Sequence, residues 1–212
     1  MMMTAGARKL ALTTHITSSV GWLGSVVAFL ALAIAGVTSH DSQIVRAAYL
    51  AMHLTTWFVI VPLSLAALIT GLIDSFGTPW GLFRHYWVVT KLLLTVLATI
   101  ILLVHTQPID RVAEVAARVD LAASDLRQLR LQLVGDAAAA LFVLLVTTTL
   151  SVYKPWGMTP YGIRRESEAT AGRRPASNRR SRPAGRYVVI AIIGFVLLIL
   201  VLHLLGGGLH GH

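Results

Sequence analysis

The chain is predicted to be an all-α protein, a polytopic membrane helical bundle with four core transmembrane helices and a fifth C-terminal one. Its 212 residues are 56% hydrophobic and only 13% charged, whereas a soluble domain carries about 25% charged residues. Five apolar stretches are each long enough to cross a bilayer core of about 30 Å as a helix. Only a helix pairs its own backbone groups in lipid. The stretches are residues 9–37, 44–73, 86–106, 137–153 and 187–205.

The order of the stretches predicts three regions. Residues 1–153 form the four-helix transmembrane domain, in which Pro62 should kink the second span. Within it, residues 109–133 repeat apolar side chains at steps of three and four, which predicts an outer amphipathic helix. We expect that helix to cover the bundle or, alternatively, to dock a partner. Residues 154–186 predict a disordered basic linker, and residues 187–212 the last helix with a Gly/His tail.

Basic residues predict the orientation. The net charge is +9, and nine basic residues lie between positions 154 and 186. Cytoplasmic flanks collect Lys and Arg, so the linker and the N-terminus with Arg8 and Lys9 are expected inside and the C-terminus outside. The chain is then a multi-pass protein of the bacterial cytoplasmic (inner) membrane. We expect the linker to contact anionic inner-leaflet lipids rather than nucleic acid, and the first span to be retained rather than cleaved.

Ionisable residues inside the spans are the main functional signal. A charge at mid-membrane costs about 3 kcal/mol or more, so such residues usually face the protein interior and act there. His15 and Lys91 lie at similar depths in the first and third spans, and Asp74 closes the second span on the same side. These three side chains can meet. Alternatively, Lys91 snorkels to the interface, and each histidine bonds a neighbouring Ser or Thr.

A second group of residues lies towards the other face. His53 is about 10 Å inside the second span, and Trp57, one turn later, can stack on a flat ligand. His105 and His203 lie near the same face. Neutral imidazole binds haem iron and copper, and two histidines at matching depth on facing helices would hold haem b. The absence of cysteine excludes thiolate ligands and iron–sulfur clusters.

Two short runs carry a family resemblance. His15 is followed by Trp22 and Gly24, and Trp87 is followed four residues later by Lys91 and three leucines. Both runs resemble the HemJ-type protoporphyrinogen oxidases. The helical scheme over residues 10–153 also resembles CopD-type copper-resistance membrane proteins and a large group of predicted bacterial integral membrane proteins related to both.

The resemblance implies specific roles. A HemJ-type protein would use His15 as a haem ligand and Lys91 to contact a porphyrin carboxylate or to transfer a proton. A CopD-type protein would bind copper through His15 and His53, with His210 and His212 of the tail as further contacts. Because the Arg-rich run after the first HemJ-type motif is absent here, we do not expect porphyrin oxidation. Any enzyme activity would be that of a haem-linked membrane oxidoreductase.

Three functions are therefore predicted. The first is a bundle that holds haem b or a related redox centre between His15, His53, Lys91, His105 and Trp57. The second is transport of, or resistance to, copper or another small cation, with His15, His53, His203, His210 and His212 as metal ligands. The third is a non-catalytic partner subunit or homo-oligomer. The sequence has no phosphate-binding loop and no Ser-His-Asp order, which excludes ATP-driven pumps, kinases and hydrolases.

Overall fold

A computed structural model describes residues 3–77, 83–104, 106–118, 127–153 and 158–170, together with Gly194. These residues are almost entirely helical and form no strand. A short π-helical segment, Thr56–Ile60, interrupts the second long helix. The α-helices are α1 Ala5–Thr38, α2 Ser42–Thr55, α3 Val61–Gly77, α4 Tyr86–Val104, α5 Thr106–Arg118, α6 Arg127–Tyr153 and α7 Pro160–Thr170.

Four helical stretches are long and apolar enough to cross a membrane. In each stretch, at most 28% of the most apolar segment is buried inside the protein. Most of the hydrophobic surface of these helices therefore faces outward, as in a protein solvated by lipid. The four core helices of the predicted fold are therefore confirmed. The predicted fifth span lies outside the described residues except for the helical Gly194. The four stretches are Ala5–Thr38, Ser42–Phe76, Tyr86–Ala116 and Arg127–Tyr153.

The spans alternate in direction and form a four-helix bundle. The first and third spans each pack against the second and the fourth, which is the arrangement of an up-down bundle with short connections. We call the end where α1 and α4 begin the His15 end. The end where α2 and α6 begin is the His53 end. The helix α5 packs mainly against α2 at the His53 end.

Side-chain caps fix where the first two helices begin. The Thr4 hydroxyl accepts a hydrogen bond from the Ala7 amide at 3.3 Å. The Asp41 carboxylate accepts from the amides of Gln43 and Ile44 at the start of α2. Such caps pair amides that have no partner within the helix. The connection between the first two spans is therefore only three residues long.

The π-helical segment lies directly before Pro62. Proline has no N–H and its ring crowds the carbonyl four residues earlier, so an α-helix cannot continue through it unchanged. Here the Val61 amide bonds to the Thr56 carbonyl five residues back, and the Thr56 hydroxyl donates to the Met52 carbonyl at 2.8 Å. The second span thus absorbs one extra residue at the place where Pro62 predicted a kink.

A glycine permits the close approach of α1 and α2. A Cβ on Gly36 would lie 2.7 Å from Cζ of Tyr49, whose side chain is only 1% exposed. Gly24, on the same helix, has nothing within 4 Å of its Cβ position. Only the first of these glycines is required by packing.

The helix α7 lies inside the segment that was predicted to be disordered. The Thr159 amide donates to the Arg84 carbonyl at 2.9 Å. The Thr159 hydroxyl donates to the Phe83 carbonyl and accepts from the Gly162 amide. His85 and Met158 form one antiparallel bridge. The prediction of disorder is therefore wrong for residues 158–170, because backbone partners distant in sequence hold them. Residues 154–157 and 171–186 of that segment lie outside the described residues.

The amphipathic helix predicted near 109–133 is described in part. The helix α5 covers its first half, and α6 begins at Arg127; residues 119–126 lie outside the described part. The apolar face of α5 is buried against the bundle through Ile109, Val112, Ala113 and Ala116. In its described half this segment covers the bundle.

Candidate functional site

His15 bonds with two helices at once. Its Nδ1 lies 3.0 Å from the carbonyl oxygen of Ala67 and 3.2 Å from the Thr70 hydroxyl on α3. Its Nε2 lies 3.2 Å from Nζ of Lys91 on α4. The structure therefore brings His15 and Lys91 into contact, as their equal depths predicted. The Lys91 amine points to an imidazole rather than along the membrane interface.

The bonding pattern assigns the protons. A carbonyl oxygen only accepts, so His15 Nδ1 carries the hydrogen and donates to Ala67. The Thr70 hydroxyl donates to the Ala66 carbonyl at 2.6 Å, so its oxygen also accepts from Nδ1. The Nε2 atom then keeps its lone pair and accepts from the Lys91 ammonium. His15 is a neutral imidazole in this arrangement.

Gly71 makes room for the imidazole. A Cβ at Gly71 would lie 3.0 Å from Cε1 of His15, so the ring lies directly against the backbone of α3. The main chain of α3 thus supplies both the acceptor for Nδ1 and the surface under the ring. His15 is held in one orientation.

Asp74 adds a negative charge to the same site. Its carboxylate is close enough to attract the Lys91 ammonium electrostatically. Both carboxylate oxygens are buried and have no hydrogen-bond partner within the part of the chain that the structure describes. Lys91 therefore contacts a neutral imidazole and is attracted by a carboxylate. We call His15, Lys91 and Asp74 the His15 cluster.

His53 is at the opposite end of the bundle. Its Nε2 lies 3.3 Å from Oδ1 of Asp110 on α5, and Nε1 of Trp57 donates to the same oxygen at 3.0 Å. The side chains of His53 and Asp110 are 38% and 44% exposed. Trp57 therefore uses its indole N–H to join the second span to α5. The structure does not bring His53 and His15 together.

A third polar contact joins three helices at the His53 end. The Arg130 guanidinium on α6 donates from Nε to the Tyr49 hydroxyl at 2.9 Å and from Nη2 to the Gly36 carbonyl. It also lies over the Tyr49 ring, 5.6 Å from the centroid. The sequence reasoning missed this contact, because Arg130 lies within the predicted outer amphipathic helix, residues 109–133, outside the predicted spans.

An apolar cavity near the His53 end contains one carboxylate. Its volume is about 130 Å³. Asp136 lines it together with Trp22 and Phe29 of α1 and Thr56 and Ile60 of the π-helical segment. Sequence reasoning left Asp136 just outside the predicted fourth span, residues 137–153. The available signal was its spacing: it lies three residues after Leu133 and eight before Leu144, both of which are buried core residues of α6.

Haem b does not fit between His15 and His53. The Nε2 lone pair of His15 is taken by Lys91, and the two imidazoles lie at opposite ends of the bundle. The cavity is smaller than the roughly 300–1,000 Å³ of typical ligand pockets, and none of the described residues that line it is a histidine. Within the described ranges no three His, Cys, Asp or Glu residues are grouped to hold a metal ion.

Four of the predicted ligands lie outside the described residues. These are His105, His203, His210 and His212. Haem or copper binding that uses them stays a prediction, and an absorption spectrum with metal analysis of the purified protein tests it.

Comparisons with protein-family models, with curated proteins and with solved structures found no match to this chain.

Proposed function

We propose that this multi-pass membrane protein is a proton-linked transporter in which the His15 cluster takes up and releases a proton inside the bundle. The observation that carries the proposal is the contact of Lys91 Nζ with the lone pair of His15 Nε2, beside the Asp74 carboxylate. Ionisable residues that face the interior of a membrane bundle typically form proton or ion pathways.

The cluster has the parts needed to move one proton. When the N–H bond of Lys91 breaks and an N–H bond forms at His15 Nε2, the ammonium becomes an amine and the imidazole becomes an imidazolium. The total charge of the pair is unchanged by this step, so it adds no net charge to the interior. Asp74 balances that charge in both forms, which lowers the free energy of keeping it in a low-dielectric site.

Proton flux into liposomes tests the proposal. Protein reconstituted around a trapped pH-sensitive dye should dissipate an imposed pH gradient, and Lys91→Met should abolish most of that flux because the methionine has similar length and no exchangeable proton. Lys9→Met, which removes an exposed lysine from α1, is the matched control and should keep it. Wild-type flux no faster than that of empty liposomes, or equal flux in Lys91→Met, contradicts the proposal.

The same comparison is available for histidine. His15→Asn should remove the flux, whereas His40→Asn changes an exposed histidine in the connection after α1 and should not. If both variants lose the proton flux to the same extent, the loss reflects a general change in charge or folding rather than the His15 cluster.

We further propose that the His15 end faces the cytoplasm of a bacterial inner membrane. Arg8, Lys9 and the basic residues from 154 to 186 all belong to segments joined to that end, and cytoplasmic flanks collect basic residues. Because the chain has no cysteine, single cysteines report the sidedness directly. An impermeant maleimide should label Gln43→Cys in cells with a permeable outer layer, and Ala5→Cys only after lysis; the reverse pattern contradicts the orientation.

A further inference from the structure

We propose that the cavity beside Asp136 binds a small organic cation, an amine that carries one ring or a short alkyl group. This names the substrate class of the transporter and so rests on the proposed function, but ligand binding itself does not require proton movement. The cavity is distinct from the His15 cluster, since neither His15 nor Lys91 lines it.

The size of the cavity sets the size of the ligand. A protein cavity of about 150 Å³ lined by apolar side chains holds a benzene molecule, and this one measures about 130 Å³. Its lining is almost entirely apolar, with side chains such as Val26, Ala98 and Leu144. The body of the ligand must therefore be hydrophobic and no larger than about one aromatic ring.

The charge of the lining sets the charge of the ligand. Among the described residues that line the cavity, Asp136 is the one with an ionisable side chain. A carboxylate in a low-dielectric site attracts a cation much more strongly than it would in water. An anionic ligand of the same size is disfavoured for the same reason.

Two buried aromatic rings add to the preference for a cation. Trp22 and Phe29 lie seven residues apart on the same face of α1, are 4% and 6% exposed, and both line the cavity. The faces of aromatic rings attract ammonium groups, and the indole of tryptophan does so most strongly. A carboxylate and two aromatic rings around one apolar space thus suit an alkyl or aryl ammonium ion.

The cavity also touches the π-helical segment and α5. Thr56 and Ile60 belong to the π-helical segment, and Ile109 belongs to α5, which packs on α2. π-helical turns within longer helices frequently lie at functional sites. A ligand in the cavity therefore contacts all four spans.

Equilibrium dialysis of benzylamine against the protein in nanodiscs, with empty nanodiscs subtracted, tests the proposal. Wild type should bind it saturably near pH 7, where the amine is charged. Asp136→Asn keeps the shape of the side chain and should weaken the affinity at least about tenfold, since a bond to a charged group is lost. Glu168→Gln removes an exposed carboxylate from α7 and should leave the affinity unchanged.

A second variant keeps the proposal testable if Asp136→Asn does not fold. Ala140→Leu adds bulk at the cavity wall and should abolish saturable binding, and ethylbenzene, the neutral analogue of benzylamine, should compete far more weakly on wild type. Wild type without saturable binding overturns the proposal, as does binding that both variants retain. If Lys91→Met loses the proton flux but Asp136→Asn binds benzylamine as wild type does, this inference is wrong and the proposed function stands. If benzylamine binding depends on Asp136 but wild type shows no proton flux, the proposed function is wrong and this inference stands.

Discussion

At one end of the bundle, His15 bonds Lys91 between α1 and α4, with Asp74 beside them and the imidazole seated on Gly71. At the other end, His53 bonds Asp110 at the junction of α2 and α5, where both side chains are more than one-third exposed. Each contact pairs a histidine with an ionisable partner on a different helix. The two contacts differ in how exposed their side chains are.

The medium decides what each contact can do. Charges that are removed from water interact strongly and are costly to leave unpaired, whereas an exposed pair is screened and contributes little to stability. The His15 cluster therefore keeps its ionisable groups in a fixed geometry. The His53–Asp110 contact attaches α5 to the bundle, and both of its side chains are partly exposed. Four substitutions test this difference.

The largest effect is expected from Lys91→Met. It removes the hydrogen bond that the ammonium donates to His15 and the positive charge that attracts Asp74, which should lower the free energy of unfolding by about 3 kcal/mol. The value can be measured by SDS titration in mixed micelles. The double variant Lys91→Met/Asp74→Asn should recover much of the loss because it leaves no uncompensated charge. A double variant less stable than the single one would show that the two residues do not act as a pair.

Arg130→Met should cost about 2 kcal/mol. It removes two hydrogen bonds from a charged group, one to the Tyr49 hydroxyl and one to the Gly36 carbonyl. Arg127→Met, one turn earlier and exposed, is the matched control and should change the same titration by less than about 0.5 kcal/mol. Equal losses in both variants would mean that Arg130 does not hold the three helices together.

Gly36→Ala should cost about 1–2 kcal/mol, since its Cβ would overlap the buried ring of Tyr49. The control is Gly24→Ala on the same helix, where the added methyl meets open space. That change should be neutral or slightly stabilising, because alanine favours helix more than glycine does. Thermal unfolding followed by tryptophan fluorescence compares the two, and a control that is as damaging as Gly36→Ala contradicts the packing argument.

The smallest effect is expected from Asp110→Asn. The exposed contact with His53 should contribute less than about 1 kcal/mol, and the variant should retain the proton flux of wild type. A loss as large as that of Lys91→Met would remove the distinction between the two ends of the bundle.

The sequence predicted the four core spans well, because hydrocarbon thickness and backbone pairing leave few alternatives. Predicted spans at 9–37 and 86–106 correspond to α1 and α4 within a few residues. The sequence also placed His15 and Lys91 at one depth, at 1.5 Å per residue, where they can meet; snorkelling of Lys91 was the alternative, and the structure shows the contact. The choice of acceptor for His15 Nδ1, the Ala67 carbonyl, did not follow, because it depends on how α1 is rotated against α3.

The remaining features depend on contacts between residues distant in sequence. The helix α7 is stabilised by the backbone at Phe83 and Arg84, which composition does not reveal. Asp136 fell outside the predicted fourth span because that span was limited to the uninterrupted apolar run from residue 137, whereas α6 begins nine residues before Asp136. His53 and Trp57 were expected to face a ligand, and their common partner Asp110 lies on a helix whose docking position could not be inferred from periodicity.

The five residues from Thr56 to Ile60 also fix the angular phase between the two halves of the second span. Successive residues of an α-helix are separated by about 100° around its axis, and the π-helical segment fits one extra residue into nearly the rotation of an α-helical turn. If the same residues instead formed a regular α-helix with none deleted, α2 would be turned by about 100° against α3. Ala67, Thr70 and Gly71 would still face His15, while His53 and Tyr49 would swing away from Asp110 and Arg130. The one extra residue thus allows α2 to face Asp110 and Arg130 while α3 faces His15.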